Sequence, residues 1–201
     1  VGQNPWDILV KHGTNIETAL PFGAVITLPA TGSEMNSGGV ITRASTEEKL
    51  PFSSASTFPK FSVLDPEVTY SLPRKQISNG IVDAFVHVVE QYLTTGSANN
   101  LLQDYMAESS LKVLVHEAQM LIKDEHDYES RANFMWAATW ALNGWIGCGV
   151  EQDWATHMIG HELTALYGLD HAQTLAIVLP GLLQVMKVQK AKKISQLGRT
   201  I

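Results

Sequence analysis

The sequence predicts a mostly α-helical protein whose first third is rich in β-strands. From about residue 71 onward, apolar residues recur at helical spacing. Before that point, short β-branched runs alternate with Gly, Ser, Asn and Pro, as they do in strands joined by loops. Hydrophobic residues make up 45% of the 201 positions, so the chain carries enough apolar surface to bury a core.

The β-rich part, residues 1–70, contains three candidate strands. Two are β-branched runs that begin with glycine, at 23–28 and 38–43. The third, at 61–66, is ended by Pro66. Three short strands are too few for a full sheet, so we expect one or two small hairpins and interpret this part as the end of a larger domain.

Helices are predicted over the rest of the chain. The first begins near Pro73, because proline suits a first helical turn, and its apolar positions continue to Tyr92. The other predicted helices cover 99–123, 128–146, 153–167 and 176–197. The last helix carries a basic cluster that we interpret as a solvated face: Lys187, Lys190, Lys192, Lys193 and Arg199.

Charge and composition exclude several classes of protein. With Lys+Arg 14 against Asp+Glu 20, the net charge is -6, so no basic field is available to hold a nucleic acid. The single cysteine, Cys148, excludes an internal disulfide, suits a reducing cytoplasm and is expected in the core. The uncharged stretch 132–150 is broken by glycines and polar residues, which favours a buried helix over a membrane span. The first residues lack the pattern of a signal peptide.

Two pairs of side chains indicate a metal site. Asp83 and His87 stand four residues apart in an apolar segment, which places them on one face of a buried helix. His157 and His161 repeat this spacing, and His171 follows just after the expected end of their helix. One Asp and three His form an all-N/O set that suits Zn²⁺ or Fe²⁺.

The residues alone leave two points open. A buried Asp needs a partner, which favours a metal, although an isolated Asp/His pair on a helix is commonly a surface or capping pair. Distances along the helix would pair His171 with His161 rather than with His157. Three further histidines lie in polar surroundings and are expected at the surface: His12, His116 and His126.

Four motifs together resemble the iron-type (group III) alcohol dehydrogenases, and most of all their branch of butanol dehydrogenases and NADPH-dependent aldehyde reductases. They are LPATGSE at 28–34, DAFVH at 83–87, DWATHMIGHEL at 153–163 and GLDHAQ at 168–173. The likeness runs from about residue 5 to 199. The resemblance implies the all-α metal-binding domain of this dehydroquinate synthase-like fold, at 71–201 and truncated at its C-terminus. Residues 1–70 would be the last strands of the α/β dinucleotide-binding domain.

The resemblance also implies a function and a set of site residues. The function would be metal-assisted hydride transfer between primary alcohols or aldehydes and NADP(H), rather than NAD(H), in a cytoplasmic homodimer. The implied metal ligands are Asp83, His87, His157 and His171. His161 would be a catalytic residue near the nicotinamide. The implied cofactor contacts are Thr27, Thr31, Ser33, Asn36 and Lys49.

Three further expectations follow from this interpretation. The family's glycine-rich pyrophosphate loop would precede Val1, so the 201 residues alone are not expected to be active. Apolar side chains are expected to exclude water from the site: Phe85, Trp136, Trp140 and Trp154. Two alternatives remain: a metal-dependent hydrolase or lyase that uses the same Asp/His set, and a non-catalytic helical metal-binding module.

Overall fold

The β-rich part contains a short helix and four strands in the computed structural model, which describes residues 4–94 and 100–201. The elements are α1 (Trp6–Val10), β1 (Gly23–Val25), β2 (Gly38–Arg43), β3 (Glu48–Ser53) and β4 (Phe61–Val63). β1 and β4 form a parallel pair. β2 and β3 form an antiparallel hairpin in which Gly38 faces Ser53 and Arg43 faces Glu48.

The predicted strand at 38–43 is confirmed, whereas the strands predicted at 23–28 and 61–66 are each only three residues long. The sequence interpretation missed α1 and β3. β3 contains Pro51, which cannot donate a ladder hydrogen bond, and this composition argued against a strand. In a two-stranded hairpin every strand has a free edge, so the proline is tolerated.

Six helices follow in the described part of the chain, and the first of these six is at their centre. They are α2 (Arg74–Tyr92), α3 (Leu101–Lys123), α4 (Tyr128–Ala141), α5 (Ala155–Tyr167), α6 (His171–Val185) and α7 (Ala191–Thr200). α2 contacts α3, α4, α5 and α6, because its apolar positions lie nearly all round its axis. Residues of α2, α3 and α4 form the inner core: Ala84, Val88, Leu111, Leu114, Ala138 and Ala141.

Helix boundaries confirm three predictions and correct two. The helices predicted from Pro73 to Tyr92, at 99–123 and at 153–167 are present with small shifts, and residue 99 lies outside the described residues. The helix predicted at 128–146 ends at Ala141, where a glycine-rich turn with positive φ at Gly144 follows. The helix predicted at 176–197 is two helices, α6 and α7, and the first of them already begins at His171.

The stretch at 132–150 is therefore a helix followed by turns rather than one buried helix. Cys148 lies in the turns and is exposed, so its expected core position is wrong. None of the helices in the described residues is long and apolar enough to cross a membrane.

The basic cluster near the C-terminus is only partly a solvated face. Lys190 is 5% exposed, and its Nζ donates to the carbonyl of Leu93 at 2.6 Å and pairs with Asp153 at 2.5 Å. Lys193 forms an ion pair with Asp104 of α3. The other three members of the cluster are exposed, as expected: Lys187, Lys192 and Arg199.

Candidate metal centre

Helix α2 supplies the first two side chains of the centre. It is buried on nearly every side by its neighbours, so the two polar residues on its inner face are buried with it. Asp83 is 3% exposed and His87 is 4% exposed. Their spacing of four residues places both side chains on the same face, as the sequence predicts.

Helices α5 and α6 bring three histidines against this face. α5 carries His157 and His161, and α6 begins at His171. The two helices approach closely at Gly160, where an added Cβ would lie 2.8 Å from the Oγ1 of Thr174. The glycine therefore allows the first residue of α6 to lie beside the histidines of α5.

One carboxylate oxygen is the centre of the arrangement. The Oδ1 of Asp83 lies 3.7 Å from the Nε2 of His87, 3.6 Å from that of His157 and 3.4 Å from that of His171. Asp83, His87 and His157 offer ligand atoms that all lie within 4.8 Å of one another. The three histidines that face this oxygen come from three different helices: His87 from α2, His157 from α5 and His171 from α6.

The spacing and the chemistry of these atoms fit a divalent metal ion. Separations of 3.4–3.7 Å are too long for ordinary hydrogen bonds, which end near 3.2 Å. Ligand atoms at about 2.1 Å from a common tetrahedral ion would lie roughly 3.4 Å apart. Within the described residues, the buried Oδ1 of Asp83 and Nε2 of His157 have no hydrogen-bond partner. Buried polar atoms without partners are costly, and metal ligation would satisfy them.

The protonation states of three of these groups also favour ligation. Burial raises the pKa of Asp83, but the neighbouring His87, His157 and His171 outweigh burial and lower it to about 2. Burial lowers the pKa of His87 to about 4, and it lowers the pKa of His171 to about 4 as well. A deprotonated carboxylate and neutral imidazoles are the forms that bind a metal.

His157 differs from the other histidines. Burial lowers its pKa, but the carboxylates of Asp83 and Glu90 outweigh burial and raise it. Its ring stacks on that of His87 with centroids 4.6 Å apart, and Trp154 packs edge-on against it at 5.3 Å. A metal ion would therefore compete with a proton at this ring.

His161 lies beside the cluster and is 4% exposed. Its ring centroid is 5.2 Å from that of His171 and 6.2 Å from that of His157. Burial, with the positive charge of Lys49 as the next contribution, lowers its pKa to about 3. The imidazole is therefore neutral at pH 7.

The structure corrects the distance argument about His171. α5 runs unbroken to Tyr167 and ends at Gly168 in the left-handed conformation, and yet the His171 ring lies 5.1 Å from that of His157. A count along the helix axis leaves out the lengths of the two imidazole side chains, which together span the gap. His157, like His171, faces the Oδ1 of Asp83, and this geometry favours it over His161 as a ligand.

Glu90 is a site residue that the sequence interpretation missed. It is 3% exposed, and its carboxylate accepts hydrogen bonds from the backbone N–H groups of Thr156 and His157 and pairs with the Nδ1 of His157. A signal was present, because Glu90 follows Asp83 and His87 at seven and three residues and therefore shares their helix face. It also follows two apolar residues, Val88 and Val89, in a helix that is otherwise largely apolar, where a charged residue is unusual.

The predicted cofactor residues lie in two places. Thr27, Thr31 and Ser33 are exposed on the loop after β1. The amide of Asn36 instead donates to the carbonyls of Thr31 at 2.8 Å and Leu142 at 3.2 Å, which ties this loop to the end of α4. The Asn36 side chain thus has a structural use within the chain.

Lys49 lies on β3, which packs against α5. Burial lowers the pKa of its ammonium, and the negative charge of Asp83 opposes that shift. The Lys49 ammonium is therefore close enough to interact with both Asp83 and His161, and the β2–β3 hairpin holds it there.

The expected apolar shell is only partly correct. Trp154 packs edge-on against His87 with ring centroids 6.1 Å apart, in addition to its contact with His157. Trp136 is 51% exposed and contacts Trp140, which in turn packs on Trp145. These tryptophans form a cluster at the surface, because α4 turns the side that carries Trp136 toward solvent.

Comparisons with known proteins find matches over nearly the whole chain. Residues 77–201 match the model of the Fe-containing alcohol dehydrogenase family, C-terminal, and residues 1–66 match the model of iron-containing alcohol dehydrogenase. The chain is 54% identical over 198 residues to the NADPH-dependent aldehyde reductase YqhD of Escherichia coli K12. This match covers 98% of this chain and 51% of the relative. It is 44% identical over 193 residues to the probable NADH-dependent butanol dehydrogenase 1 of Bacillus subtilis. That match covers 96% of this chain and 49% of the relative.

Solved structures give the same result. A crystal structure of Escherichia coli YqhD superposes with a TM-score of 0.97 at 53% identity, and the match covers 99% of this chain and 51% of that one. The NADH-dependent butanol dehydrogenase A of Thermotoga maritima gives 0.89 at 38% identity, with 95% and 48% covered. The chain thus spans about half the length of the relatives it matches. The names of these relatives describe oxidoreductases and give no support to a hydrolase, a lyase or a non-catalytic module.

Proposed function

This chain belongs to the iron-containing alcohol dehydrogenase family, and on that premise we propose that it supplies the metal-binding part of an oxidoreductase. The enzyme would interconvert primary alcohols and aldehydes with NADP(H). The single observation that carries the proposal is the position of the Asp83 Oδ1, 3.4–3.7 Å from the Nε2 atoms of three histidines. Asp83, His87, His157 and His171 would hold the ion.

The ion would be Fe²⁺ or Zn²⁺, because an Asp and three His form an all-N/O set. NADP(H) is proposed over NAD(H) because the relative at 54% identity is named for NADPH. When bound, the metal supplies Lewis acidity toward the substrate oxygen, and the nicotinamide supplies or accepts the hydride.

The chain's own residues would prepare the site for this chemistry. Trp154 covers the rings of His87 and His157 on one side and limits the access of water to them. His161 is neutral, so one ring nitrogen donates a hydrogen bond and the other accepts one. It would orient the nicotinamide, and its low pKa favours this role over relay of the alcohol proton. Lys49 would place a positive charge near the cofactor.

The division of the chain also remains a proposal. We place the end of the dinucleotide-binding domain at residue 70 and the helical metal-binding domain at 71–201, which is supported by family matches over 1–66 and 77–201. The cofactor would be contacted from the first part by the five predicted residues, Thr27, Thr31, Ser33, Asn36 and Lys49. The cytoplasmic location and the homodimer stay predictions.

Metal analysis of two variants tests the ligand set. In the polypeptide that contains this chain, His87→Ala should abolish stoichiometric binding of Fe²⁺ or Zn²⁺ and, with it, NADPH-linked aldehyde reduction. The matched control is His116→Ala, because His116 is exposed on α3 and should leave both unchanged. Retention of one metal per chain in His87→Ala would show that the centre is wrongly assigned.

The role of His161 is tested by turnover at constant metal content. His161→Ala should keep the metal and lower aldehyde reduction about 10²-fold, the scale of a misplaced reacting group. Loss of the metal in His161→Ala with full retention in His157→Ala would exchange the roles of these two residues.

A further inference from the structure

Glu90 carries an inference that rests on the proposed metal centre and deepens it. We propose that Glu90 is a positioning residue which fixes the proton of His157 on Nδ1 and so turns the Nε2 lone pair toward Asp83. Helix α2 would then supply two ligands and the group that orients a third.

The carboxylate of Glu90 can act only as a hydrogen-bond acceptor toward the His157 ring. Oε1 accepts from the backbone N–H of Thr156 at 2.5 Å and from that of His157 at 3.3 Å, and Oε2 contacts the Nδ1 of His157. An ionised carboxylate accepts hydrogen bonds and donates none, so the Nδ1 must carry the proton. When a metal displaces the second proton, the lone pair of the ring is on Nε2, which lies 3.6 Å from the Asp83 Oδ1.

The same contacts hold α5 in place. Thr156 and His157 are the second and third residues of α5, whose first N–H groups have no partner within the helix. Glu90 satisfies two of them and places a negative charge at the positive end of the helix. One side chain thus fixes both the position of the helix and the rotation of its ligand.

The other histidines of the cluster lack such a partner in the part of the chain that the structure describes. The Nδ1 atoms of His87, His161 and His171 are buried without a hydrogen-bond partner. His157 is therefore distinguished by a fixed tautomer. In metal sites a partner of this kind commonly changes metal affinity by 10–100-fold.

The geometry of α2 explains how one helix supplies two ligands and also orients a third. Asp83, His87 and Glu90 lie within about 60° of one another around the helix axis. All three are buried, at 3%, 4% and 3% exposure, so their positions relative to one another are set by a single rigid element. The orientation of His157 then follows from the docking of α5 on α2.

The variant Glu90→Gln separates the two roles of Glu90, which are to hold the start of α5 and to fix the proton of His157 on Nδ1. The Gln carbonyl can still accept from the two backbone N–H groups of α5, which holds the amide in one orientation and turns its NH₂ toward His157. A donor at that place requires an unprotonated Nδ1, so the proton moves to Nε2 and blocks the ligand atom. The matched control is Glu117→Gln, because Glu117 is also buried, at 5%, and accepts from Asn133 at 3.0 Å on α4.

Two measurements on the polypeptide that contains this chain test the inference. Long-range ¹H–¹⁵N spectra of the chelator-treated, histidine-labelled protein are recorded at a pH above the raised pKa of His157, where the ring is neutral. They should show the His157 proton on Nδ1 in the wild type and Glu117→Gln, and on Nε2 in Glu90→Gln. Competition with a chelator should show Zn²⁺ bound 10–100-fold more weakly by Glu90→Gln and unchanged in Glu117→Gln.

The outcomes separate this inference from the proposed function. Wild-type zinc affinity together with an Nδ1 proton in Glu90→Gln would overturn the inference and leave the metal centre standing. If Glu90→Gln fails to fold, the metal-free wild type decides, because a neutral His157 ring with its single proton on Nε2 overturns the inference. A wild type that binds no zinc refutes the metal centre instead, while the tautomer measurement still tests Glu90.

Discussion

Thr139→Val should loosen the attachment of the loop after β1 to the helical part. Glu34 of that loop is 7% exposed, and its carboxylate accepts a hydrogen bond from the Oγ1 of Thr139, which is 1% exposed. Valine has nearly the same shape as threonine and lacks the hydroxyl, so the variant removes the bond without creating a cavity. A hydrogen bond to a charged group contributes about 1.5–3 kcal/mol, and the free energy of unfolding should fall by that amount.

Urea unfolding at pH 7 measures this loss, and a double-mutant cycle with Glu34→Ala, which removes the acceptor, assigns it. Because both residues belong to one contact, the effects of the two single variants should not add, and the coupling should exceed about 0.5 kcal/mol. An unfolding midpoint for Thr139→Val equal to that of the wild type would refute the reasoning. Additive effects in the double variant would show that the two side chains act independently.

Two further changes have expected outcomes. His87 has a folded pKa of about 4 against about 6.5 when unfolded, so the unfolded chain takes up the proton first as the pH falls. Chelator-treated protein should therefore lose stability from pH 6.5 toward pH 4, by about 2 kcal/mol at pH 5 from His87 alone, and urea titration of His87→Gln should show a smaller loss. Lys190→Met keeps the buried stem but leaves Asp153 and the Leu93 carbonyl without their donor, which should cost about 1–3 kcal/mol in thermal or urea unfolding. Exposed Lys192→Met should change stability by less than about 0.5 kcal/mol, and equal effects of the two lysine variants would contradict the buried role.

The helical part was predictable because its signals are local. Apolar spacing located α2, and the four-residue separation of Asp83 and His87 placed them on one face, which the structure confirms. The break between α6 and α7 was missed, since Pro180 lies inside α6 and the real break at 186–190 has no Gly or Pro. Periodicity alone does not reveal an end of that kind.

Contacts between distant elements were harder to predict. Glu90 holds His157 across 67 positions of the chain, and Lys190 reaches Leu93 across 97. A charged residue in a helix reads as solvated unless the partner helix is known, so Lys190 was expected at the surface. Trp136 was expected inward for the converse reason: an aromatic residue favours burial, but α4 turns its side toward solvent.

The placement of Asp83, His87 and Glu90 on one face of α2 has a consequence for the order of events during folding. α2 is local and forms early at little loop-closure cost, whereas His157 lies 70 positions from His87 and arrives only when that long loop closes. We therefore expect the complete ligand set to form after the transition state for folding. A metal ion added during refolding should then leave the folding rate unchanged and lower the unfolding rate. The metal would in this way increase the kinetic stability of the folded protein.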